Sequence, residues 1–291
     1  MRVAKQIRGR LLLVITGLFV SLVWSPASTA GSPQKNLSDL IDAVRPAVVQ
    51  ITVVITGVSP QRPLSAPAPI QNCFQDRYVC IVGTGFLVND TGDIVTACHV
   101  ANDVQSVIKI LGDLGIQAIS VAGFSLPNKE TNGIKSISDT YGVNATLVAT
   151  DPLHDLALFH IEPNPSTKPK TPFVRLSNTA PNDGDAIFSC GFPFGEPGIV
   201  TTSGAIASAS KLAVLITAAS AGAIGKIFVY WVDLAVNPGN SGGPIFSNAD
   251  QSVLGIVVEN EGSLGIVVPS TYIIDFLESH NIRWNSDANH S

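Results

Sequence analysis

The sequence has no long apolar run and few charged residues, and both absences narrow the class of protein. No stretch reaches the roughly 18 apolar residues of a membrane-spanning helix, which excludes a multi-pass membrane protein. Charged residues make up 13% of the 291 positions, against about 25% in typical soluble domains. The hydrophobic share of 45% excludes a disordered chain, and the absence of Gly-X-Y or heptad periods excludes collagen and coiled coils. One large or two small globular units remain.

The first 30 residues have the pattern of a secretory signal peptide. Four basic residues, the last of them Arg10, precede an apolar run from Leu11 to Trp24, and small residues follow up to Ala30. This order predicts cleavage after Ala30, a mature chain that begins at Gly31, and a periplasmic or extracellular location. The alternative is an uncleaved membrane anchor, although the apolar run is short for a bilayer core.

Positive charge is scarce once this segment is set aside. Removing its four basic residues leaves 13 basic against 22 acidic residues, a formal net charge of −9. Nucleic-acid binding depends on Lys and Arg side chains that neutralise phosphates, and the sequence contains no basic stripe. Nucleic acid is therefore not an expected partner.

Only four cysteines are present, and an oxidising compartment would allow disulfides among them. Cys73 and Cys80 flank a short polar segment and are the favoured pair, although three full connectivities are open. Cys98 and Cys190 lie within apolar runs and are interpreted as buried, inert thiols. The alternative is a Cys98–Cys190 bridge, which would place a reducible bond beside His99.

Short β-branched and apolar runs alternate with Gly, Asn, Asp and Pro along most of the chain. The predicted strands are 48–56, 81–88, 94–97, 107–111, 145–150, 156–161, 186–190, 199–206, 227–234, 252–258 and 263–268. They predict an all-β sandwich or barrel, and the lack of a long helical pattern between them disfavours a parallel sheet. A short helix is expected from Leu37, with Ser38 as its cap and Pro46 as its end, and another over Ser270–Ser279.

Two Pro-rich stretches interrupt the series of strands. Segment 59–70 is interpreted as an exposed insertion, and segment 162–172 divides the strands into halves of similar size. The first half is expected over about 37–162 and the second, with its C-terminal helix, over about 173–285. The residues from Trp284 onward are expected to fray.

Segment 237–244, which reads NPGNSGGP, is the strongest candidate for chemistry. Glycines on both sides of Ser241 allow a tight turn that brings backbone N–H groups close to a ligand atom. A nucleophilic serine needs this setting, with the N–H groups of Gly239 and Ser241 directed at a developing oxyanion. The alternative is an ordinary loop.

Two further residues could activate this serine, which would otherwise be a poor nucleophile. His99 follows the apolar run 94–98 and precedes a break, so its ring could be fixed and still face a cleft. Asp155 opens an apolar run, where a carboxylate needs a partner. The alternatives are a core histidine and a turn aspartate at a strand end. Cys98 does not fit a nucleophile acting with His99, because consecutive strand residues point to opposite faces.

These residues stand in motifs that resemble those of the trypsin-like serine proteases, and most of all their HtrA/DegP branch. In chain order the motifs are GTGF at 83–86, TACHV at 96–100, HDLAL at 154–158, GFPFG at 191–195 and GNSGGP at 239–244. The resemblance covers essentially the whole chain after Ala30. It implies a chymotrypsin-like pair of six-stranded antiparallel β-barrels, with His99 and Asp155 in the first barrel and Ser241 in the second.

The resemblance implies a serine endopeptidase that needs no metal or cofactor. Ser241 would attack a peptide carbonyl, His99 would transfer the proton, and Asp155 would orient and stabilise the imidazole ring. The S1 pocket would be formed by Ala235, Val258, Glu259, Asn260, Gly265 and Val267. Ala235 stands where trypsin has an aspartate, so small or medium aliphatic residues are expected in the pocket rather than Arg, Lys or Glu.

Two departures from the family limit what can be carried over. Only 22 residues follow Pro269, so no PDZ domain and no PDZ-mediated partner are expected. Asn240 stands where digestive relatives have an aspartate, so zymogen activation by a new N-terminus is not expected. Polypeptides, including unfolded proteins, are the expected partners. A non-catalytic binding protein, a chaperone-like holdase that also cleaves, and a glutamate-specific protease stay open as alternatives.

Overall fold

The structure is a computed structural model that describes residues 36–56, 73–74, 79–113, 115, 117–125, 130–131, 134–135, 140–162, 172–195, 198–214 and 226–284. The predicted signal segment, the Pro-rich insertion 59–70 and the terminal residues 285–291 lie outside the described residues. In the described ranges, no helix is long and apolar enough to cross a bilayer. Both barrels described below belong to the unit Lys35–Ser291.

The helices and strands are numbered in chain order. The helices are α1 (Leu37–Val44), α2 (Cys98–Asp113) and α3 (Ser270–Ser279). The strands are β1 (Val48–Thr56), β2 (Cys73–Phe74), β3 (Val79–Leu87), β4 (Asp93–Ala97), β5 (Gln117–Ser125), β6 (Glu130–Thr131), β7 (Ile134–Lys135), β8 (Thr140–Asp151), β9 (Leu156–Ile161), β10 (Ala186–Gly191), β11 (Val200–Val214), β12 (Lys226–Asp233), β13 (Pro244–Ser247), β14 (Val253–Glu261) and β15 (Leu264–Pro269).

Six strands of the first half close into a barrel. β1 pairs with both β3 and β5, so the order β1–β5–β8–β9–β4–β3 returns to β1, and β2 extends β3 at the edge. The pairings are antiparallel. Fully buried side chains such as Ile51, Phe86 and Leu158 fill this part of the core. Strands β1, β4 and β9 are buried on both faces over most of their length, which fits their nearly continuous apolar runs.

The second half forms a closed barrel in the order β10–β11–β12–β15–β14–β13, again with antiparallel pairings. Ile187, Val232 and Val267 lie in a separate buried cluster of this half. The prediction of an all-β fold with two six-stranded antiparallel barrels is confirmed. The short N-terminal helix and the C-terminal helix Ser270–Ser279 are confirmed as well.

The N-terminal helix begins at Leu37, one residue before Ser38, which was the predicted cap. The side chain of Asn36 accepts a hydrogen bond from the backbone N–H of Asp39 at 2.9 Å, so Asn36 is the N-cap and the prediction of Ser38 is wrong. The helix ends in a 3-10 turn, Arg45–Ala47, that contains Pro46. Proline lacks the N–H needed to continue an α-helix, which explains the end point.

Helix α2 was not predicted, and the strand predicted at 107–111 is wrong. That run is the second half of a 16-residue helix, whose buried apolar residues recur every three or four positions. Those residues include Val100, Val104, Val107 and Leu111. A short apolar run does not distinguish a strand from a buried helix segment, and the period becomes visible only from residue 100 onward.

The position of α2 changes the setting of His99. The helix begins at Cys98, so His99 lies in its first turn and does not end a strand. The argument that Cys98 and His99 point to opposite faces of a strand is therefore wrong. The expectation of no long helical segment between strands is also wrong, although the strands on either side of α2 keep antiparallel partners.

Candidate active site

Antiparallel pairing of β4 and β9 brings His99 and Asp155 together. Ala97 at the end of β4 lies opposite Leu156 at the start of β9, so the residues just beyond them meet. The backbone N–H of Cys98 donates to the carbonyl oxygen of Asp155 at 2.9 Å. The Asp155 side chain is fully buried, with Oδ2 2.7 Å from Nδ1 of His99 and Oδ1 2.9 Å from the backbone nitrogen of His99.

The electrostatic surroundings of His99 favour its protonated form. Burial of the ring lowers the pKa of His99, but the hydrogen bond and the charge of Asp155 outweigh it and hold the pKa above its ordinary value. The carboxylates of Asp103 and Glu259 act in the same direction. Side-chain exposure is 22% for His99, so the ring reaches solvent while its partner does not. A histidine in this state is a stronger base than a free imidazole.

Ser241 lies in a turn that is bound to strand β14 on its C-terminal side. The N–H of Gly242 donates to Val257 O at 2.7 Å, and the N–H of Val257 donates to Gly243 O at 2.9 Å. Gly239 and Gly242 have φ angles of +96° and +79°, which residues with a Cβ rarely adopt. The glycines on both sides of the serine are therefore required by the backbone path.

Thr84 of the first barrel holds the serine turn of the second barrel. Its N–H donates to Ser241 O at 2.9 Å, and its hydroxyl donates to Gly239 O at 2.6 Å. The same hydroxyl accepts a hydrogen bond from the N–H of Phe192 at 3.1 Å. Thr84 is fully buried. The sequence reasoning assigned it no role, and the only signal was its place in the GTGF motif.

Two backbone amides of the serine turn are free. The N–H groups of Gly239 and Ser241 have no hydrogen-bond partner among the residues that the structure describes, nor has the Ser241 hydroxyl. The amides of this turn that do donate are those of Asn240, Gly242 and Gly243. The free amides of the serine residue and of the glycine two positions before it can bind an oxyanion, because each has an N–H available for a new acceptor.

The residues predicted to form the S1 pocket separate into two groups. Glu259 and Asn260 are exposed near the end of β14, next to buried Val258, and Asn260 lies opposite Gly265 of β15. Ala235 is exposed on the segment between β12 and the serine turn. Val267 differs, because its side chain is fully buried in the apolar cluster of the second barrel. The structure thus brings Val258, Glu259, Asn260 and Gly265 together and places the Val267 side chain in the core.

The cysteines near the site are free thiols. Cys98 and Cys190 are both buried and unpaired, which confirms their interpretation as buried thiols and excludes the Cys98–Cys190 bridge. Burial is the main cause that raises the pKa of each thiol to about 11. Backbone pairing of β2 with β3 sets Cys73 directly opposite Cys80. Their side chains lie outside the described residues, so this disulfide stays a prediction.

Two other histidines also contact carboxylates. His154 Nδ1 lies 2.6 Å from Asp151 Oδ2, and His160 Nδ1 lies 2.8 Å from Asp93 Oδ1. Side-chain exposure is 26% for Asp151 and 9% for Asp93, against 0% for Asp155. Within the described part of the chain, no group of three or more His, Cys, Asp or Glu side chains could hold a metal ion.

Comparison with known proteins gives a family match and several relatives. Residues 83–256 match the family described as "Trypsin-like peptidase domain". A "Probable periplasmic serine endoprotease DegP-like" of Rickettsia conorii is 27% identical over 257 residues, covering 82% of this chain and 43% of that protein. The mitochondrial "Serine protease HTRA2" of Bos taurus is 27% identical over 263 residues, covering 89% of this chain and 46% of that protein. The chain thus spans less than half the length of these relatives.

Solved structures share the fold. The Rv3671c protease of M. tuberculosis, in its active form, aligns with a TM-score of 0.56 and 19% identity, covering 84% of this chain and 85% of that one. The "HtrA-type protease AlgW with decapeptide" aligns with a TM-score of 0.57 and 20% identity, covering 84% of this chain and 67% of that one. At these identities the likeness concerns the arrangement of the backbone.

Proposed function

The chain belongs to the trypsin-like peptidase family, and on that basis we propose that it is an exported HtrA/DegP-type serine endopeptidase that uses Ser241, His99 and Asp155. One observation carries the proposal. A fully buried carboxylate binds both the ring and the backbone of a partly exposed histidine. That arrangement fixes the ring in the tautomer with hydrogen on Nδ1, which leaves Nε2 free to accept a proton.

The proposed reaction is acyl transfer in two halves. Ser241 Oγ attacks the peptide carbonyl carbon while its proton passes to His99 Nε2, and the carbonyl oxygen becomes an oxyanion. The free N–H groups of Gly239 and Ser241 bind that oxyanion. His99 then gives the proton to the leaving amine as the C–N bond breaks. Water repeats the sequence on the acyl-enzyme and releases the second product.

Labelling by a fluorophosphonate probe tests the activated serine directly. We expect the wild-type protein to be labelled and to hydrolyse denatured casein, and Ser241→Ala to do neither while it unfolds at the same temperature. Ser263→Ala removes an exposed serine between β14 and β15 and is the matched control. Labelling of Ser241→Ala would contradict the proposal. An unlabelled wild-type protein that binds unfolded polypeptides would instead indicate the non-catalytic alternative.

The proposed specificity is for small or medium aliphatic residues before the cleaved bond. Ala235, Val258 and Gly265 carry no charge, so a buried Arg, Lys or Glu side chain would have no partner among them. Glu259 is exposed next to Val258 and is the carboxylate among the six predicted pocket residues, so it could attract a basic residue. A peptide-library cleavage profile tests this. Dominant cleavage after Arg, Lys or Glu would contradict the pocket assignment and leave the triad untouched.

The proposed location is the periplasm or the extracellular medium. Two observations support it: the basic, apolar and small-residue order of the first 30 positions, and the printed name of the Rickettsia relative, which is called periplasmic. N-terminal sequencing of the exported protein is expected to give Gly31. An intact Met1 in a membrane fraction would show an anchored enzyme instead.

A further inference from the structure

The turn that precedes Asp155 is held together by Asp151. Oδ1 of Asp151 accepts hydrogen bonds from the N–H groups of Leu153 at 3.0 Å and His154 at 3.3 Å, and Oδ2 lies 2.6 Å from His154 Nδ1. Burial raises the pKa of Asp151, but these hydrogen bonds and the charge of His154 outweigh it, so the pKa is lowered. A charged carboxylate at the end of β8 thus fixes both the turn and the His154 ring.

Asp155 itself has an unusual backbone conformation. Its φ angle is +53°, in the left-handed region that few residues other than glycine adopt, although aspartate does so more often than most. Such a conformation persists only where the surroundings determine it. Two features hold the backbone of Asp155. The turn 151–155 leads into it, and the N–H of Cys98 at the start of α2 donates a hydrogen bond to its carbonyl oxygen. The carboxylate that orients His99 therefore depends on how firmly this turn is held.

His154 connects the turn to the second half of the molecule. Its ring stacks on the ring of Tyr272, with centroids 4.3 Å apart and planes inclined by 24°. Tyr272 belongs to α3, which follows the last strand of the second barrel. The Tyr272 hydroxyl accepts a hydrogen bond from the N–H of Phe228 on β12 at 3.3 Å. The stack therefore joins the Asp155 turn to a residue anchored on the second barrel.

We propose that His154 and Tyr272 are positioning residues for catalysis, because their ring stack holds the Asp155 turn of the first barrel against α3 of the second. The inference rests on the proposed function of Ser241, His99 and Asp155. His99 and Ser241 come from different barrels, so proton transfer between them requires a fixed relation of the barrels. Small displacements of reacting groups lower the rate by large factors. The ring stack of His154, the residue before Asp155, limits such displacements.

The test compares His154→Ala, Tyr272→Ala and the double variant with wild type. Each single variant is expected to lower kcat about tenfold with KM within about twofold, because positioning of the base is lost while the substrate site is intact. The double variant is expected to have the same kcat as the less active single variant, because both substitutions remove the same ring stack. Tyr272→Phe keeps the ring stack and removes the hydroxyl contact with Phe228, so its kcat is expected to lie between those of Tyr272→Ala and wild type.

His280→Ala is the matched control. His280 packs against Phe276 at the end of the same helix, with centroids 4.8 Å apart, and the described contacts do not connect it to the turn 151–155. The substitution His280→Ala removes a histidine–aromatic contact of similar kind without touching the turn, so kcat is expected to stay at the wild-type value. An equal loss of kcat in His280→Ala would assign the effect to helix stability and overturn the proposal.

A second readout does not depend on hydrolysis. The Nδ1 proton of His99 points at Asp155, so we expect its NMR resonance at low field in the wild-type protein. We expect His154→Ala and Tyr272→Ala to shift or broaden this resonance, and His280→Ala to leave it unchanged.

Loss of the Asp155 contact lowers the pKa of His99, so the acid limb of kcat/KM moves to lower pH in the two variants. Unchanged resonances in folded His154→Ala and Tyr272→Ala overturn the inference, whereas a wild-type protein without hydrolysis or labelling overturns the proposed function alone.

Discussion

Asp155 contacts His99 at two points, the ring nitrogen Nδ1 at 2.7 Å and the backbone nitrogen at 2.9 Å. The two contacts use different oxygens of one carboxylate, so the bond to the backbone nitrogen holds the carboxylate in place and any rotation of the ring breaks the bond between Nδ1 and Oδ2. Because Asp155 is fully buried, water does not compete for either oxygen. The orientation of His99 is therefore set before any substrate arrives.

Asp155→Asn is expected to remove most of the activity without unfolding the protein. The amide can still occupy the site, but its NH₂ group cannot accept the ring hydrogen, so the imidazole takes the wrong tautomer. We expect kcat/KM to fall by about four orders of magnitude, as is typical of such changes in a triad. Asp93→Asn alters another histidine–carboxylate pair, with His160, and is the control. A similar loss per folded molecule in Asp93→Asn would contradict a special role for Asp155.

Glu259→Gln is expected to move the acid limb of the kcat/KM profile to lower pH. The negative charge of Glu259 contributes to the raised pKa of His99, and His99 must be neutral to act as a base. Removing the charge lowers that pKa, so activity appears at lower pH. Because Glu259 is exposed and screened, the change is expected to be about half a pH unit or less. Glu261→Gln, at the end of the same strand, is the control, and equal shifts in both variants would count against the prediction.

The same raised pKa has a consequence for stability. A histidine whose pKa is higher in the folded state stabilises the fold fully below its unfolded pKa, and that contribution is lost as pH rises through the folded pKa. Proton binding to His99 therefore favours the folded protein in acid, while it removes the neutral base. As pH rises from the unfolded pKa of His99 through its folded pKa, the stability that His99 contributes is expected to fall while the activity that depends on neutral His99 rises.

Much of the fold and the site could be predicted from local patterns. The apolar runs at 48–56, 156–161 and 186–190 correspond to β1, β9 and β10, and the glycines around Ser241 predicted its tight turn. These runs are nearly continuous in apolar residues and end at turn-forming residues, so a short window of sequence carries the signal. Strands β5 and β13 were not predicted, and β13 is only four residues long.

Other features depend on contacts between distant segments. Thr84 reaches Gly239 across 155 positions of sequence, and the His154 ring meets Tyr272 of α3, which follows the second barrel. No local period encodes such a contact, because it exists only after both barrels have closed. The same reason explains Val267, whose apolar side chain could equally have lined a pocket or filled the barrel interior.

Alkylation of thiols separates the two pairs of cysteines. The native protein is expected to resist labelling, because Cys98 and Cys190 are buried and burial raises their pKa to about 11, so little thiolate exists at neutral pH. Unfolding without reductant is expected to expose two thiols if Cys73 and Cys80 form the predicted bridge. Mass spectrometry counts the labels. Four labels on unfolding would show that Cys73 and Cys80 are reduced.

Gly242→Ala tests whether the two barrels must meet closely behind the serine. A Cβ on Gly242 would lie 2.1 Å from Thr96 Oγ1, 2.4 Å from Thr84 O and 2.7 Å from the backbone nitrogen of Ala97. Thr84 and Thr96 are buried, and two of the three atoms belong to backbone, so the clash cannot be relieved by a rotamer change.

We expect Gly242→Ala to lower the free energy of unfolding by about 3 kcal/mol or more, since overpacking adds to the cost of an alanine at φ +79°. Activity is expected to fall further than stability, because any shift of Ala97 moves the start of the helix that carries His99. Gly262→Ala is the matched control: φ is +63°, no atom lies within 4 Å of the added Cβ, and the expected cost is about 1 kcal/mol. Denaturant unfolding of both variants measures the difference, and equal losses would show that backbone conformation, rather than the contact between barrels, requires glycine at position 242.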